Sequence, residues 1–538
     1  MTDSKTPKHV FVVMLENRSF DNLLGLSGFQ PSIKGNTNTF QNKKYSVASP
    51  APTTMTTDPG HELPDVLEQL TNTPPKDLTP PLGPYPSQKF PEDFANGTGF
   101  ATNYATNTDE GNTNPAFPDS AHIGDIMKSF DDTQVPILTQ LANEFAVCTQ
   151  WYSSIPGPTW PNRFFLHLGS SSNMDAGPTK SQIAAWSAYG SSGFPTKKTV
   201  FQALKEQSHS YRLYHDVSGS FMDYSSVFSD DASKGGGFTG GGWIPQCSVL
   251  PGLSIQSDFW ELKEYFASDL AGDYPYQYTF IEPHYGNIYE NTYQGGSSQH
   301  PMDDVYGGEA LVKFVYETLR NSDKWDDSLL IVTYDEHGGF YDSVPPPKGT
   351  PPNDGSPGYG EKDTLNVFGF EFDQLGVRVP TVVISPYIQK GTIDKSTAYD
   401  HTSVLATLRS LFGISSLTDR DKNATDVLSL LTLNTPRTDC PKTLANPMSS
   451  NLKETPPRTQ KEQELIDLQE LPESGNMVGT MAILLKTHLE LAPKNFIWRY
   501  FIRRKFRRLK TRGQLKAYTT KVVAKLEKYK KRNPRSNY

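Results

Sequence analysis

Three short stretches of the chain carry side chains whose types and spacing could do chemistry. The first, HVFVVMLENRSFDNLLG (9–25), is an apolar, β-branched run that breaks off in Glu16 and Asn17. In its plain reading, Asn17-Arg18-Ser19 is a turn and helix cap, and Glu16 is solvated. In its chemical reading, a carboxylate and a carboxamide at the mouth of a buried strand are hard oxygen ligands for a cation. The second stretch, LLIVTYDEHGGFYDSVPPP, ends a strand in Asp335, Glu336 and His337. Adjacent acids at a strand end are often only solvated, but joined to Glu16 and Asn17 they make an oxygen-rich cation site. The third, SIPGPTWPNRFFLHLGSS, sets Thr159 between two prolines at the start of a helix-like run. The prolines fix the backbone, and the helix N-terminus turns N–H groups toward an anion. A threonine there is ordinarily a cap. Beside a bound cation, its hydroxyl acquires the lowered pKa that a nucleophile needs.

The elements that must position these residues alternate along the chain. Strand patterns are VFVVML, FAVCTQWY, YRLYH, YQYTFIE, SLLIVTYDE and VPTVVISPYI. Between them PILTQLANEF, TVFQALKEQ, DFWELKEYFASDL, GGEALVKFVYETLR and HTSVLATLRSLFG place apolar residues at three- and four-residue spacing. This alternation predicts an α/β fold, a largely parallel sheet with helices on both faces. Such sheets gather their active sites beyond the carboxyl ends of the strands. Glu16-Asn17, Gly157-Pro158-Thr159, Glu282-Pro283-His284 and Asp335-Glu336-His337 all stand at such ends. Long Pro- and Gly-rich insertions near 30–120, 170–198, 216–250 and 345–375 read as surface loops or lids. The run KGGGFTGGGW (234–243) lacks the Lys-Ser/Thr of a phosphate-binding loop and reads as a flexible loop.

With 538 residues, 36% hydrophobic and 12% aromatic, the chain has ample material for one large domain and an appendage. Its three cysteines are too few and scattered for a disulfide framework or a zinc knuckle. No apolar run reaches the length of a membrane span, and MTDSKTPKHV lacks the pattern of a secretory signal. The expectation is a cytoplasmic protein, or one exported without an N-terminal signal. The net charge of −8 conceals an asymmetry: residues 494–538 hold 17 Lys/Arg and one acid, Glu527, against 34 basic and 58 acidic residues elsewhere. The body is acidic and the tail basic. The organisation expected is a catalytic domain over 1–450, a linker and the start of a helical extension over 451–493, and a basic amphipathic helical tail over 494–538.

VMLENRSFDNLLG, PGPTWPNR, IEPHYG, HPMDDVYGGEALV, IVTYDEHGGFYDSVPPP, RVPTVVISPYI and YDHTSVLATL together resemble the bacterial phospholipase C and acid phosphatase family. They run in order from about residue 9 to residue 410, and the basic tail has no part in the likeness. The resemblance implies an alkaline-phosphatase-like core and a hydrolase acting on phosphoric esters. It implies one divalent ion (zinc, calcium, magnesium or manganese) held by Glu16, Asn17, Asp335 and Glu336, with Thr159 as further ligand and nucleophile. His61 in DPGHE, His300 in QHPMDD and, less sharply, His284 in IEPHYG match the family's catalytic histidines. His337 and His401 match positions for which a structural or supporting role serves equally well.

The implied chemistry is double displacement through a phosphothreonine. The leaving group is either diacylglycerol, in a phospholipase C acting on glycerophospholipids, or a soluble alcohol, in an acid phosphatase. An inert binding protein on the same scaffold is the reading of another class. The tail tilts the choice toward lipid. Trp498, Ile502, Phe506 and Leu509 make one apolar stripe, and Leu515, Val522, Leu526 and Tyr529 a second after a break at Gly513, both set among arginines and lysines. Basic helices bearing aromatics suit an anionic membrane surface; docking on the acidic body is the competing use. Nucleic acid is not expected as a partner, since no reading module accompanies the charge.

Overall fold

The computed structural model describes residues 6–72, 97–107, 120–189, 193–216, 245–449 and 459–533. The glycine-rich run at 234–243 and residues 451–458 of the linker lie outside them. Eight strands form the central sheet: β1 (His9–Leu15), β4 (Ala146–Cys148), β5 (Tyr211–His215), β6 (Phe259–Glu261), β7 (Tyr278–Glu282), β8 (Ser328–Tyr334), β9 (Val382–Ile384) and β10 (Thr392–Asp394). Their order is β10-β4-β9-β8-β1-β7-β5-β6. All neighbours pair in parallel except β9, which runs against both β4 and β8. Every residue of β1 and of β8 is buried, although successive side chains point to opposite faces. Both faces are therefore covered, as the near-continuous apolar runs of these strands require. The largely parallel α/β expectation holds.

Two local expectations are corrected. DFWELKEYFASDL does not read as one helix: Phe259–Glu261 pairs beside β5, and the helix begins at Leu262. A single short edge strand preceding a helix leaves too brief an alternation to detect. The insertion expected as surface loop over 30–120 is partly folded. It contains the hairpin of β2 (Thr37–Phe40) and β3 (Lys43–Ser46) and the helices Leu63–Thr71 and Phe100–Thr106. These bury Tyr45, Val66, Leu67, Phe100 and Tyr104 against Phe165, Phe340 and Phe372 in an apolar cluster separate from the main core.

Beyond the sheet, the helix Asn476–Leu491 buries every residue from Met477 to Leu489 and joins the main core. The helix Arg512–Arg532 lays Leu515, Val522, Val523 and Leu526 into that same core. Of the second stripe, Leu515, Val522 and Leu526 thus face the core, where Asn476–Leu491 is their wall, while Tyr529 stays 40% exposed. The first stripe divides. Ile502 and Phe506 of the helix Phe496–Phe506 turn inward, while Trp498 is 59% exposed. No helix among the described residues is long and apolar enough to cross a membrane.

Candidate active site

The register of two parallel strands builds the site. Leu15 of β1 pairs with Tyr334 of β8, so both chains leave the sheet at one level. Glu16-Asn17 and Asp335-Glu336 follow directly and lie side by side. Backbone bonds lock them: Asp335 N donates to Leu15 O, and Arg18 N to Glu336 O. Asn17 then adopts a left-handed conformation (φ 57), which asparagine tolerates better than most residues, and its N–H donates to Asp335 Oδ1 at 2.9 Å. Gly338 (φ 63) follows His337 because a Cβ there would stand 2.1 Å from Asn17 O.

Thr159 arrives from elsewhere in the chain. It is the first residue of the helix Thr159–Leu168, whose cap position is Pro158. Its Oγ1 donates to Asn17 Oδ1 at 3.1 Å. Asn162, one turn on, secures the approach by accepting from Ile155 N (3.0 Å) and donating to Gly157 O (2.8 Å). On the same helix Arg163 donates through Nε to Asp335 Oδ2 at 2.9 Å, and through Nη2 to Met14 O and Leu15 O. Arg163 was legible as a cation one turn beyond Thr159, but its partner depends on the packing of this helix over two strand ends. Gln246, also missed, donates to Glu16 Oε1 at 3.4 Å.

The electrostatics call for more positive charge. Glu16, Asp335 and Glu282, all fully buried, act on the single guanidinium of Arg163, and Glu336 is buried beside Asp335. Burial pushes Glu16 up to about 8, with Arg163 opposing and Asp335 adding to the rise. Burial likewise raises Asp335 to about 6, again against the pull of Arg163. Glu16 Oε2 and Glu336 Oε1 are buried with no hydrogen-bond partner. Asp335 Oδ1 accepts from the amides of Asn17 and Glu336, and Oδ2 from Arg163, which leaves one lone pair of four. Among the described residues no three His, Cys, Asp or Glu side chains converge as a closed metal shell. The donor set nonetheless fits a hard divalent ion: unpartnered carboxylate oxygens, a carboxamide and a hydroxyl, all buried and short of positive charge.

The histidines divide into groups. His61 donates from Nδ1 to Pro59 O at 2.9 Å, which makes Nε2 the basic nitrogen. His61 and His300 lie close enough to feel each other's charge; burial first, then His61 and Arg18, hold His300 well below its usual range. His300 stacks on Tyr293 with ring centroids 3.5 Å apart, and its Nε2 lies 3.6 Å from Asp58 Oδ2. Arg18 carries this loop to the strand mouth, donating to Gln299 O at 2.8 Å and to His300 O. His337 joins the group from the other side. Its Nε2 bonds Gln69 Oε1 at 2.8 Å, and its Nδ1 lies 3.4 Å from Glu336 Oε2. His401 donates from Nε2 to Asp335 O at 2.6 Å and receives Trp151 Nε1, a positioning contact. His284 Nδ1 accepts from Gly286 N at 3.1 Å. Burial lowers it to about 4, with Asp216 and Lys263 as the charges it feels, and its recorded contacts are with the 286–297 loop. Glu282 accepts from Gln246 N, Cys247 Sγ and Tyr285 OH, so it anchors the segment that delivers Gln246.

The Thr159 hydroxyl thus stands at a helix N-terminus, beside a cluster of carboxylates at parallel strand ends. A model of the phosphoesterase family matches residues 7–415, about three quarters of the chain. The chain belongs to the phosphoesterase family. As a phosphoesterase it is a hydrolase acting on phosphoric ester bonds, and all the residues placed above fall within the matched span. Non-specific phospholipase C6 of Arabidopsis thaliana is 34% identical to it over 510 residues, covering 89% of this chain and 81% of that one. Non-specific phospholipase C3 of the same plant is 30% identical over 504 residues, covering 90% and 83%. Phospholipase C A of Mycobacterium tuberculosis is 27% identical over 476 residues, covering 84% and 82%. An alkaline phosphatase superfamily protein from Vibrio parahaemolyticus overlays 55% of this phosphoesterase and 64% of its own chain at 16% identity, with a TM-score of 0.29. That overlay is too loose to carry any argument about the site.

Proposed function

We propose that this phosphoesterase is a phospholipase C, hydrolysing glycerophospholipids to diacylglycerol and a phosphorylated head group through a phosphothreonine. The observation that carries the reading is the Thr159 hydroxyl, 3.1 Å from Asn17 Oδ1 among buried carboxylates. Glu16, Asn17, Asp335, Glu336 and Thr159 are the residues that would hold one divalent ion. When bound, such an ion lowers the pKa of a ligated hydroxyl and neutralises charge on a phosphoryl oxygen. Thr159 Oγ1 attacks phosphorus as the bond to the glycerol oxygen breaks. His61, its Nδ1 proton committed to Pro59 O, presents Nε2 for proton transfer, and His300 stands beside it. The Thr159 hydroxyl proton passes to this pair, and the pair passes it on to the departing alcohol. Water, activated by the same histidines, then hydrolyses the phosphothreonine and restores Thr159. His284 Nδ1 is taken by Gly286 N, and we give this histidine no step.

The substrate assignment draws on the names of the relatives and on the C-terminal helices. Phe496, Ile497, Trp498, Tyr500 and Phe501 are exposed on a helix rich in arginine, a surface suited to anionic membrane. The test is product analysis on phosphatidylcholine vesicles, with a chromogenic phosphomonoester in parallel. Diacylglycerol and phosphocholine, lost on chelation, are expected. Turnover of the phosphomonoester alone would make the protein an acid phosphatase. Phosphatidic acid and free choline as products would overturn the assigned leaving group.

A further inference from the structure

The three C-terminal helices line an open cleft of about 680 Å³, which shares no lining residue with the carboxylate cluster. That size lies within the roughly 300–1,000 Å³ of pockets that bury small organic ligands. Its walls are apolar, formed by Leu491, Trp498, Phe501 and Ile502. Lys505, Lys525, Lys528 and Arg532 also line it, and no acid does. The position of Lys525 is fixed: its Nζ donates to His488 Nε2 at 2.8 Å, and His488 Nδ1 bonds Tyr518 OH at 2.8 Å. Burial and the neighbouring lysines lower His488 to about 4, which keeps the ring neutral and able to accept.

From these contacts we infer that the cleft binds one anionic phospholipid of the membrane, its acyl chain along the apolar walls and its head group among the four cations. The inference rests on the membrane part of the proposed function and goes beyond it, from a diffuse basic surface to a single lipid site. An inorganic anion would have no use for the wall of Leu491 and Ile502. A nucleic acid strand would stack on Trp498 and Phe501 but would leave the aliphatic wall unmatched. An acidic amphiphile satisfies both halves. Phe496, Ile497 and Tyr500 on the same helix are exposed, an apolar surface that a bilayer would cover.

The test uses the full chain and vesicles of phosphatidylcholine with phosphatidylserine, bromine atoms being carried on the acyl chains of one lipid or the other. Quenching of tryptophan emission is read in the first seconds after mixing. Bromine on phosphatidylserine should quench a component that Trp498→Phe removes, and bromine on phosphatidylcholine should quench that component much less. Lys505→Glu combined with Lys528→Glu should weaken vesicle binding about thirtyfold or more, since two basic residues near an anionic surface are worth about 1 kcal/mol each. Arg504→Glu with Lys531→Glu removes the same charge outside the cleft and should cost under about threefold, because charges that do not reach the bound lipid are screened by salt. Equal losses in the two pairs would mean diffuse attraction and overturn the site, as would equal quenching from both lipids or none through Trp498. Loss of affinity for a single-stranded oligonucleotide with vesicle binding untouched would assign the cleft to nucleic acid instead. All of these outcomes are independent of phospholipase C turnover, so failure here leaves the proposed reaction standing, and the reverse.

Discussion

Thr159 and Asn17 are 142 residues apart in sequence, and a single hydrogen bond between them organises the chemistry. Thr159→Ala should reduce phospholipid turnover roughly ten-thousandfold or more, the scale of losing a nucleophile. Its fold should persist, because the Asn162 contacts that hold the loop are untouched. Thr159→Ser should keep measurable activity, since it keeps the hydroxyl. A phosphothreonine demands two inversions, so a substrate chiral at phosphorus should react with net retention; net inversion would mean direct attack by water. The carboxylates give a second expectation at this scale. With one guanidinium among these buried acids, chelation of divalent ions should lower the melting temperature of the wild type. Glu16→Gln with Glu336→Gln should abolish that response, because it removes the two unpartnered carboxylate oxygens. An equal drop in the double variant would place the ion elsewhere.

The elements matter through where they end. β1 and β8 terminate flush, and the His-Gly-Gly turn after β8 lets two other segments come close. A Cβ on Gly338 would meet Asn17 O at 2.1 Å, and one on Gly339 would meet Gly60 O at 2.6 Å, the backbone just before His61. Both residues also have positive φ (63 and 74). Gly338→Ala therefore combines backbone strain with a clash against a fixed carbonyl, and should cost about 3 kcal/mol or more in chemical denaturation, along with activity. Gly355 provides the comparison, with φ 71 and open space around its Cβ position. Gly355→Ala should cost about 1 kcal/mol, from strain alone, and leave turnover intact. Similar losses at both glycines would show that approach to Asn17 is not what Gly338 provides.

At the scale of the whole molecule, the basic C-terminal segment does two jobs with two faces. The helix Arg512–Arg532 closes the core over Asn476–Leu491, while Phe496–Phe506 keeps aromatics in solvent. Val522 is 1% exposed, so Val522→Asp buries an unpaired charge and should destabilise the protein by several kcal/mol, the usual scale of that mechanism. Phe501 is 52% exposed; Phe501→Ser should leave stability within about 0.5 kcal/mol while weakening vesicle binding. Thermal unfolding and vesicle co-sedimentation read the two effects separately. If Phe501→Ser unfolds the protein, or leaves vesicle binding unchanged, the exposed helix is not the lipid-facing element.

Much of this protein was legible in its residues. The apolar runs ending in Glu16-Asn17 and Asp335-Glu336, and Thr159 opening a helix, were visible because strand and helix periods and their terminators are local properties. The parallel α/β class followed from their alternation, which needs no knowledge of strand order. Tertiary structure alone decided the rest. Strand register brought Glu16 level with Asp335. Helix packing turned Arg163 onto Asp335, and loop paths set His61 near His300 and tied His284 to Gly286 and Ser297. The same limit explains the tail. An amphipathic stripe states that a helix has an apolar face; whether protein or lipid covers it depends on which wall lies opposite, and for Leu515, Val522 and Leu526 that wall is the helix Asn476–Leu491.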